Sequence, residues 1–301
     1  MPGWGGSGPT TVFIHIRHSL HYTYGRPVFL EPMTLRLTPR QDSTQRLLLH
    51  TLKVTDEATG ASHVVDADGT NAAVLWFDEP RQRLSLQLET VVETLRENPF
   101  DWIVTEPSAQ RLPFRYDPAL TAALSPSLAS TPTPSPVKTW ADGLAQEVEG
   151  STTAFLMELA HGMHHGFHHV GRPDGDPQPA AETLATRTGA CRDTAMLYVE
   201  ACRSQGLAAR FVSGYSIHHP PEVSEHELHA WAEVYVPGGG WRAYDPSLGL
   251  AVADGHVPLA AAPDHRLAAA VSGSYRGTGV DSTMTYAIQV RSAPTQEELD
   301  T

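Results

Sequence analysis

Residues 188–204 read TGACRDTAMLYVEACRS. Apolar side chains recur in this stretch at steps of three and four residues, at Cys191, Ala195, Tyr198 and Cys202. That spacing predicts a helix with one buried face, which Gly206 is placed to end. Cys191 then lies at the start of the helix, where free backbone N–H groups and the helix dipole favour an anion.

A cysteine in that position can act as a nucleophile. A helix N-terminus and a neighbouring imidazolium both favour the thiolate, and the backbone N–H of Cys191 is free to act as an oxyanion donor. The alternative is a buried and unreactive cysteine, which is the interpretation for Cys202 in mid-helix. On one helix the two cysteines lie about 16 Å apart along the axis, so they cannot form a disulfide, and both are predicted to be free thiols.

Strands are predicted after this helix at Ala209–Tyr215, His229–Val236 and Trp241–Asp245. The last two form a hairpin through the turn residues at 237–240. The helix that carries Cys191 therefore packs on an antiparallel sheet. His229 begins one hairpin strand and Asp245 ends the other, so both fall at the same end of the sheet, as a base and its orienting carboxylate must.

The register of this hairpin determines whether His229 and Asp245 share a face of the sheet. They do so only in a pairing whose residue numbers have an even sum, such as Asp245 opposite Trp231 or Glu233, which requires an odd-length loop or a bulge. A plain four-residue loop would put the two side chains on opposite faces and would contradict the prediction of a catalytic pair.

The chain divides into regions by composition and periodicity. Residues 1–10 are rich in Gly and Pro and are predicted to be a disordered tail. Residues 11–98 alternate between apolar and polar residues, with turn residues between the runs, and predict an antiparallel β domain. Residues 99–137 are rich in Pro, Ser and Thr and are interpreted as a linker. Residues 138–301, helical at first, are interpreted as the catalytic domain.

Composition and charge exclude several classes of function. With 41% hydrophobic and 18% charged residues the chain is neither disordered nor fibrous. No run of residues approaches the roughly 20 apolar residues of a membrane span. The net charge of −13 argues against nucleic acid and anionic membranes as partners. The first residues lack the features of a secretory signal, so the expected location is the cytoplasm.

Motifs around the cysteine, histidine and aspartate resemble, in the same order, those of the bacterial transglutaminase-like proteins that carry an N-terminal β domain. They are Thr188–Ala195, His229–Val234 and Gly240–Ser247. The resemblance reaches the N-terminal half through shorter motifs at His21–Tyr24, Leu35–Arg40, Asp68–Asn71, Asn98–Phe100 and Leu112–Pro113. It covers nearly the whole chain and implies an α+β fold with a papain-like catalytic core.

The resemblance implies a catalytic triad of Cys191, His229 and Asp245. Cys191 would attack an amide carbonyl and form a thioester, His229 would take and return protons, and Asp245 would hold the imidazole tautomer. Water or an amine would then release the acyl group. The expected activity is that of a cysteine amidase or peptidase on a protein or peptide, with acyl transfer to an amine as the alternative. No acidic cluster indicates a calcium site, so no cofactor is predicted.

Further residues are predicted to support this site. Relatives often carry an aromatic hydroxyl after the phenylalanine upstream of the nucleophile, whereas this chain has His168 and His169, whose imidazole N–H could be the second oxyanion donor. Arg192 and Asp193 point in different directions from the helix and are expected to pair with other residues. Trp231 is expected to lie in the core or in the wall of the pocket.

Two other functions stay open at this point. The histidines between residues 161 and 169 have helical i, i+3 and i, i+4 spacings that could bind a transition metal; they are His161, His164, His165, His168 and His169. No carboxylate or thiolate accompanies them, so no metal site is predicted and a solvated helix face is preferred. The core could also be an inactive binding scaffold, which low reactivity of Cys191 would support.

Overall fold

The computed structural model describes residues 11–55, 58–128, 135–172, 175–218 and 227–299. The tail predicted at residues 1–10 lies outside the described residues. The described strands of the N-terminal half are β1 Val12–Leu30, β2 Met33–Leu35, β3 Gln45–Thr55, β4 Gly60–Val65, β5 Asn71–Trp76 and β6 Arg81–Thr94.

The remaining elements follow residue 100. The described α-helices are α1 Pro118–Leu124, α2 Ser135–Glu147, α3 Thr152–Gly166, α4 Ala180–Thr186, α5 Cys191–Ser204 and α6 Gln296–Leu299. The described strands are β7 His168–His169, β8 Thr188–Gly189, β9 Ala209–Ser216, β10 His229–Val236, β11 Gly240–Asp245, β12 Leu250–Ala251, β13 His256–Ala262, β14 Val271–Ser272, β15 Tyr275–Arg276 and β16 Ser282–Ala293.

Two antiparallel sheets form the N-terminal half. One has the order β15–β1–β6–β3, with β16 also paired to β1, and the other has the order β14–β2–β5–β4. Alternate residues such as Ile14, Ile16, Leu84 and Leu86 are buried, because successive side chains of a strand point to opposite faces. The apolar faces of the two sheets meet in one core. The N-terminal antiparallel β domain predicted from the alternation is thereby confirmed.

The C-terminal half packs helices on an antiparallel sheet with the order β12–β11–β10–β9–β13. Helix α5 lies on β10 and β9 and is covered on its other side by α2, α3 and α4. It ends as the sequence predicts, since Gly206 has a φ of +83° and the N–H of Leu207 donates to the carbonyl of Cys202 at 3.1 Å. A cysteine-bearing helix on an antiparallel sheet, the predicted α+β core, is confirmed.

The last strand corrects the predicted extent of the catalytic domain. Strand β16 pairs with β1 along its whole length, from Phe13↔Ala293 to Tyr24↔Ser282. It therefore belongs to the first sheet of the N-terminal half, although the sequence analysis assigns residues 138–301 to the catalytic domain. The alternation of Met284, Tyr286 and Ile288 is visible in the sequence, but its partner strand lies at the other end of the chain.

Part of the segment predicted as a linker at 99–137 is packed into the C-terminal half. Phe114, Tyr116 and Leu124 are buried in the core of the C-terminal half. The hydroxyl of Tyr116 donates to the carbonyl of Tyr235 at 2.7 Å and accepts from the N–H of Ala208 at 2.9 Å. A segment rich in Pro and Ser has no helical or strand periodicity, but it can still be buried. The linker interpretation is therefore wrong for these three residues.

Across the part of the chain that the structure describes, no helix has the length and apolar character needed to cross a membrane. The cytoplasmic location stays a prediction.

Candidate active site

Cys191 is the first residue of α5 and is partly exposed, whereas Cys202 on the same helix is fully buried. Both are free cysteines. The helix begins at Cys191 because Ala190 is extended and its N–H donates to Oδ2 of Asp193 at 2.7 Å. This contact is half of a capping box, and it fixes the turn that presents the thiol.

Asp193 also connects the loop before α4 to the helix that begins with Cys191. Its carboxylate is completely buried, and Oδ1 accepts from Nη2 of Arg172 at 2.5 Å and from the N–H of Gln178 at 2.8 Å. A Cβ on Gly189 would come within 2.8 Å of the Asp193 side chain, so glycine is the residue that fits at this position of the motif. The buried pair with Arg172 is a structural contact two residues from the thiol.

The hairpin has the register that brings His229 and Asp245 to one face. Strands β10 and β11 pair from Val236↔Gly240 to Ala232↔Tyr244, which leaves residues 237–239 as an odd-length loop. Continued by one residue, this register sets Asp245 opposite Trp231, a pairing with the even residue sum that the sequence argument requires. Gly238 and Gly240 have φ of +88° and +67°, conformations that glycine adopts most easily.

His229 lies between the thiol and the carboxylate. Its Nε2 is 2.6 Å from Oδ2 of Asp245, and Cys191 lies within hydrogen-bonding reach of the ring. Since Nε2 is held by the carboxylate, Nδ1 is the nitrogen left to exchange a proton with sulfur. Burial alone would lower the pKa of His229, but the charge and hydrogen bond of Asp245, helped by Cys191, raise it well above its usual value.

Asp245 is completely buried and accepts four hydrogen bonds. Oδ1 accepts from the N–H groups of Ser247 at 2.9 Å and Leu248 at 3.2 Å, while Oδ2 accepts from His229 at 2.6 Å and from Nε2 of His256 at 2.9 Å. Burial would raise the pKa of this carboxyl, but the two histidines hold it far below its usual range. Asp245 therefore stays ionised and fixes the tautomer of both rings.

His256 is a site residue that the sequence argument missed. It begins β13, is 3% exposed, and its ring meets Trp231 edge-on at 5.0 Å between centroids. Burial lowers its pKa despite the hydrogen bond to Asp245, so the ring is neutral when it donates to that carboxylate. The strand HVPLAAA is buried on both faces and lacks alternation; a histidine at the head of such an apolar run is the signal that could have revealed it.

Comparison with known proteins agrees with this arrangement. Residues 14–93 match the family model for the bacterial transglutaminase-like N-terminal region, and residues 139–246 match that for the transglutaminase-like superfamily. The chain belongs to the bacterial transglutaminase-like proteins. The two matches together span well over half of the chain, and the second contains all three residues Cys191, His229 and Asp245.

Relatives of this transglutaminase-like protein are themselves of unestablished activity. An uncharacterized protein of Mycobacterium leprae is 26% identical over 276 residues, covering 88% of this chain and 94% of its own. One of Mycobacterium tuberculosis is 26% identical over 251 residues, covering 77% of each chain. Among solved structures, a proposed cysteine protease from Cytophaga hutchinsonii has a TM-score of 0.72 at 18% identity, covering 95% of this chain and 92% of that one, so the fold is shared.

The transglutaminase-like core opens at a cleft of about 510 Å³. Cys191, His229, Arg192 and His169 line it. His168 is exposed and is not among the lining residues; it pairs with Thr188 in the short parallel ladder of β7 and β8. Of the two histidines predicted to support an oxyanion, His169 is the one beside the nucleophile.

Trp231 and the other histidines of the tract do not line this cleft. Trp231 is 1% exposed and packs beneath His229, with ring centroids 6.0 Å apart. Within the tract, Nδ1 of His164 donates to the carbonyl of Ser247 at 2.8 Å, which steadies the turn after Asp245. Among the described residues the only group with three converging metal-ligand atoms is made by His229, Asp245 and His256. The tract itself does not converge.

Proposed function

We propose that this protein is a cysteine amidase or peptidase that cleaves a peptide or isopeptide bond of a protein substrate through a thioester. One observation carries the proposal. A thiol at a helix N-terminus lies within hydrogen-bonding reach of an imidazole whose other nitrogen, 2.6 Å from a buried carboxylate, is fully engaged. Nucleophile, base and orienting group thus stand in the order that acyl transfer by cysteine requires.

The charges at the site support an ion pair in the resting enzyme. The raised pKa of His229 keeps the imidazole protonated near neutral pH, and an imidazolium beside sulfur stabilises the thiolate. Asp245 remains ionised because four hydrogen bonds satisfy its oxygens. The ring therefore has a proton to give to a leaving amine as soon as the thiolate attacks.

The reaction then follows in two halves. The Cys191 thiolate adds to the amide carbonyl, and the oxyanion is met by the backbone N–H of Cys191 and by an N–H of His169. His229 protonates the amine, the C–N bond breaks and a thioester forms. In the second half His229 takes a proton from water, which attacks the thioester; the carboxylic acid leaves, and the Cys191 thiolate is restored beside the protonated His229.

Trapping the thioester tests this proposal. A mixture of peptides is incubated with the enzyme and hydroxylamine in isotopically labelled water, and the products are read by mass spectrometry. We expect hydroxamates and singly labelled new carboxylates with the wild type and with Cys202→Ala, and neither with Cys191→Ala or His229→Ala. New amide bonds to a primary amine, with no labelled acid, would instead identify an acyl transferase.

Two results would overturn the proposal. Equal product from Cys191→Ala would remove the thiol from the chemistry. Wild type that releases no acyl product from any peptide, while Cys191→Ala remains folded by circular dichroism, would leave a transglutaminase-like scaffold.

A further inference from the structure

One wall of the cleft that holds Cys191 comes from the N-terminal sheet. Strands β1 and β16 contribute three cross-strand pairs to it: His18↔Ile288, Leu20↔Tyr286 and Tyr22↔Met284. Residues paired across an antiparallel ladder point to the same face, and so do residues two apart on one strand. All six side chains therefore belong to one face, which is turned towards the thiol across the cleft.

This wall is mostly apolar and carries no fixed charge. Leu20 and Ile288 are buried, while Met284 is 38% exposed at the open side. Burial, with a smaller effect of Tyr24, raises the pKa of Tyr22 to about 12, so its phenol is neutral at physiological pH. Around the wall, Phe211, Ala230 and Ala268 of the C-terminal half and Ala270 and Val271 at β14 add apolar side chains, while the charged lining residues, among them Arg192 and Glu227, belong to other segments of the cleft.

The wall is held in a fixed relation to the catalytic strands. The hydroxyl of Tyr286 donates to Oε1 of Glu227 at 3.0 Å, two residues before His229. Deeper in the interface, Nδ1 of His18 lies 2.9 Å from the hydroxyl of Tyr215 on β9. Both contacts join the sheet of β1 and β16 to the C-terminal half, which contains β9 and β10. A side chain bound against the wall therefore has a defined position relative to Cys191.

We propose that this wall binds a large apolar side chain of the acyl donor, of the Leu, Met or Phe type, next to the carbonyl that Cys191 attacks. The inference rests on the proposed function and adds a substrate class to it. We infer an apolar side chain because the sulfur of Cys191 and the uncharged wall line the same cavity of about 510 Å³. A Lys or Asp side chain packed on this wall would lose hydration against side chains that carry no charge.

Chloromethyl ketones test the inference, because their side chain must bind while sulfur displaces chloride. N-acetyl amino-acid chloromethyl ketones with Phe, Leu, Lys or Asp side chains are compared with iodoacetamide, which has no side chain, by the rate of Cys191 alkylation. Relative to iodoacetamide, we expect the Phe and Leu reagents to react at least about tenfold faster than the Lys and Asp reagents.

A matched pair of variants locates the effect on the wall. Met284→Glu puts a charge at the exposed edge of the wall, and Thr285→Glu puts the same charge on the neighbouring residue, which is exposed on the opposite face. Relative to iodoacetamide measured on the same variant, Met284→Glu should slow the Phe reagent about tenfold and speed the Lys reagent. Thr285→Glu should change none of the three rates.

The outcomes separate this inference from the proposed function. Fast iodoacetamide labelling of Cys191 with no preference among the four reagents, or equal effects of the two variants, would refute the apolar wall while leaving the nucleophile intact. If iodoacetamide labels Cys191 no faster than Cys202, the proposed function fails and the inference fails with it.

Discussion

Glu233 is the carboxylate whose removal should weaken the protein most clearly. It lies on β10, is 4% exposed, and accepts from Nη2 of Arg40 at 2.9 Å and from Nε of Arg210 at 2.7 Å. Arg40 belongs to the N-terminal half, so this buried ion pair joins the two halves of the molecule behind the active site.

The magnitude follows from the pKa of Glu233. Burial would raise that pKa, but Arg40 and Arg210 outweigh burial and lower it from 4.5 to about 2. A difference of about 2.5 units at 1.36 kcal/mol per unit corresponds to about 3 kcal/mol of stability. Because the folded-state pKa is the lower one, this contribution is complete above pH 4.5 and is lost as the pH falls towards 2.

Urea unfolding of Glu233→Gln at about pH 7 and about pH 3 measures it. We expect the variant to lose about 3 kcal/mol at neutral pH, and the difference from wild type to shrink to about 1 kcal/mol at the lower pH. Glu89→Gln is the control, since Glu89 pairs with Arg17 on the surface and should change stability by less than about 1 kcal/mol. A loss in Glu233→Gln no larger than in this control, or one independent of pH, would refute the reasoning.

Three further changes have definite expected outcomes. Asp245→Asn removes the charge that raises the pKa of His229, and should lower the rate of peptide cleavage by about 10² to 10⁴ without unfolding the protein, as read by kinetics and circular dichroism. His256→Ala removes one donor to Asp245 and should slow cleavage about tenfold, whereas His256→Gln, which keeps an N–H, should restore most of the rate; equal rates in the two variants would show that the hydrogen bond is irrelevant. Gly238→Ala forces a φ of +88° on alanine and brings Cβ within 2.3 Å of a backbone oxygen, so urea unfolding should show a loss of about 2 kcal/mol or more. Gly143→Ala, where nothing lies within 4 Å, should be neutral or stabilising.

Local patterns carry most of what the sequence reveals about the site. The stripe from Cys191 to Cys202 predicts a helix over Ala190–Ser204, one residue longer than α5, and the bounds of β10 at His229–Val236 are those predicted. These elements have one buried face or a clear turn beside them, so their periodicity reports their structure. The sequence limits the register of the hairpin but does not determine it, because the glycines at 238–240 allow several loop lengths. In the structure this loop packs against the distant residues 103 and 105.

Non-local pairing explains what the sequence leaves hidden. His256 lies on a strand buried on both faces, which has no alternation, and its contact with Asp245 appears only after β13 pairs with β9. The wall of the cleft needs β16 to return to β1 across the whole length of the chain. Neither pairing has a local signal, so the second histidine and the apolar wall follow from the structure alone.

Iodoacetamide labelling of the native protein from about pH 5 to about pH 9, read by peptide mass spectrometry, tests most directly whether Cys191 is an activated nucleophile. Cys202 is the internal control, since burial excludes the reagent and raises the pKa of its thiol well above the usual value. We expect Cys191 to react already below neutral pH, Cys202 to react only on denaturation, and His229→Ala to move the labelling of Cys191 towards the range of an ordinary thiol, about pH 8.5. If the two cysteines label alike, or if both label only after denaturation, Cys191 is not an activated thiol and the proposed enzyme is contradicted.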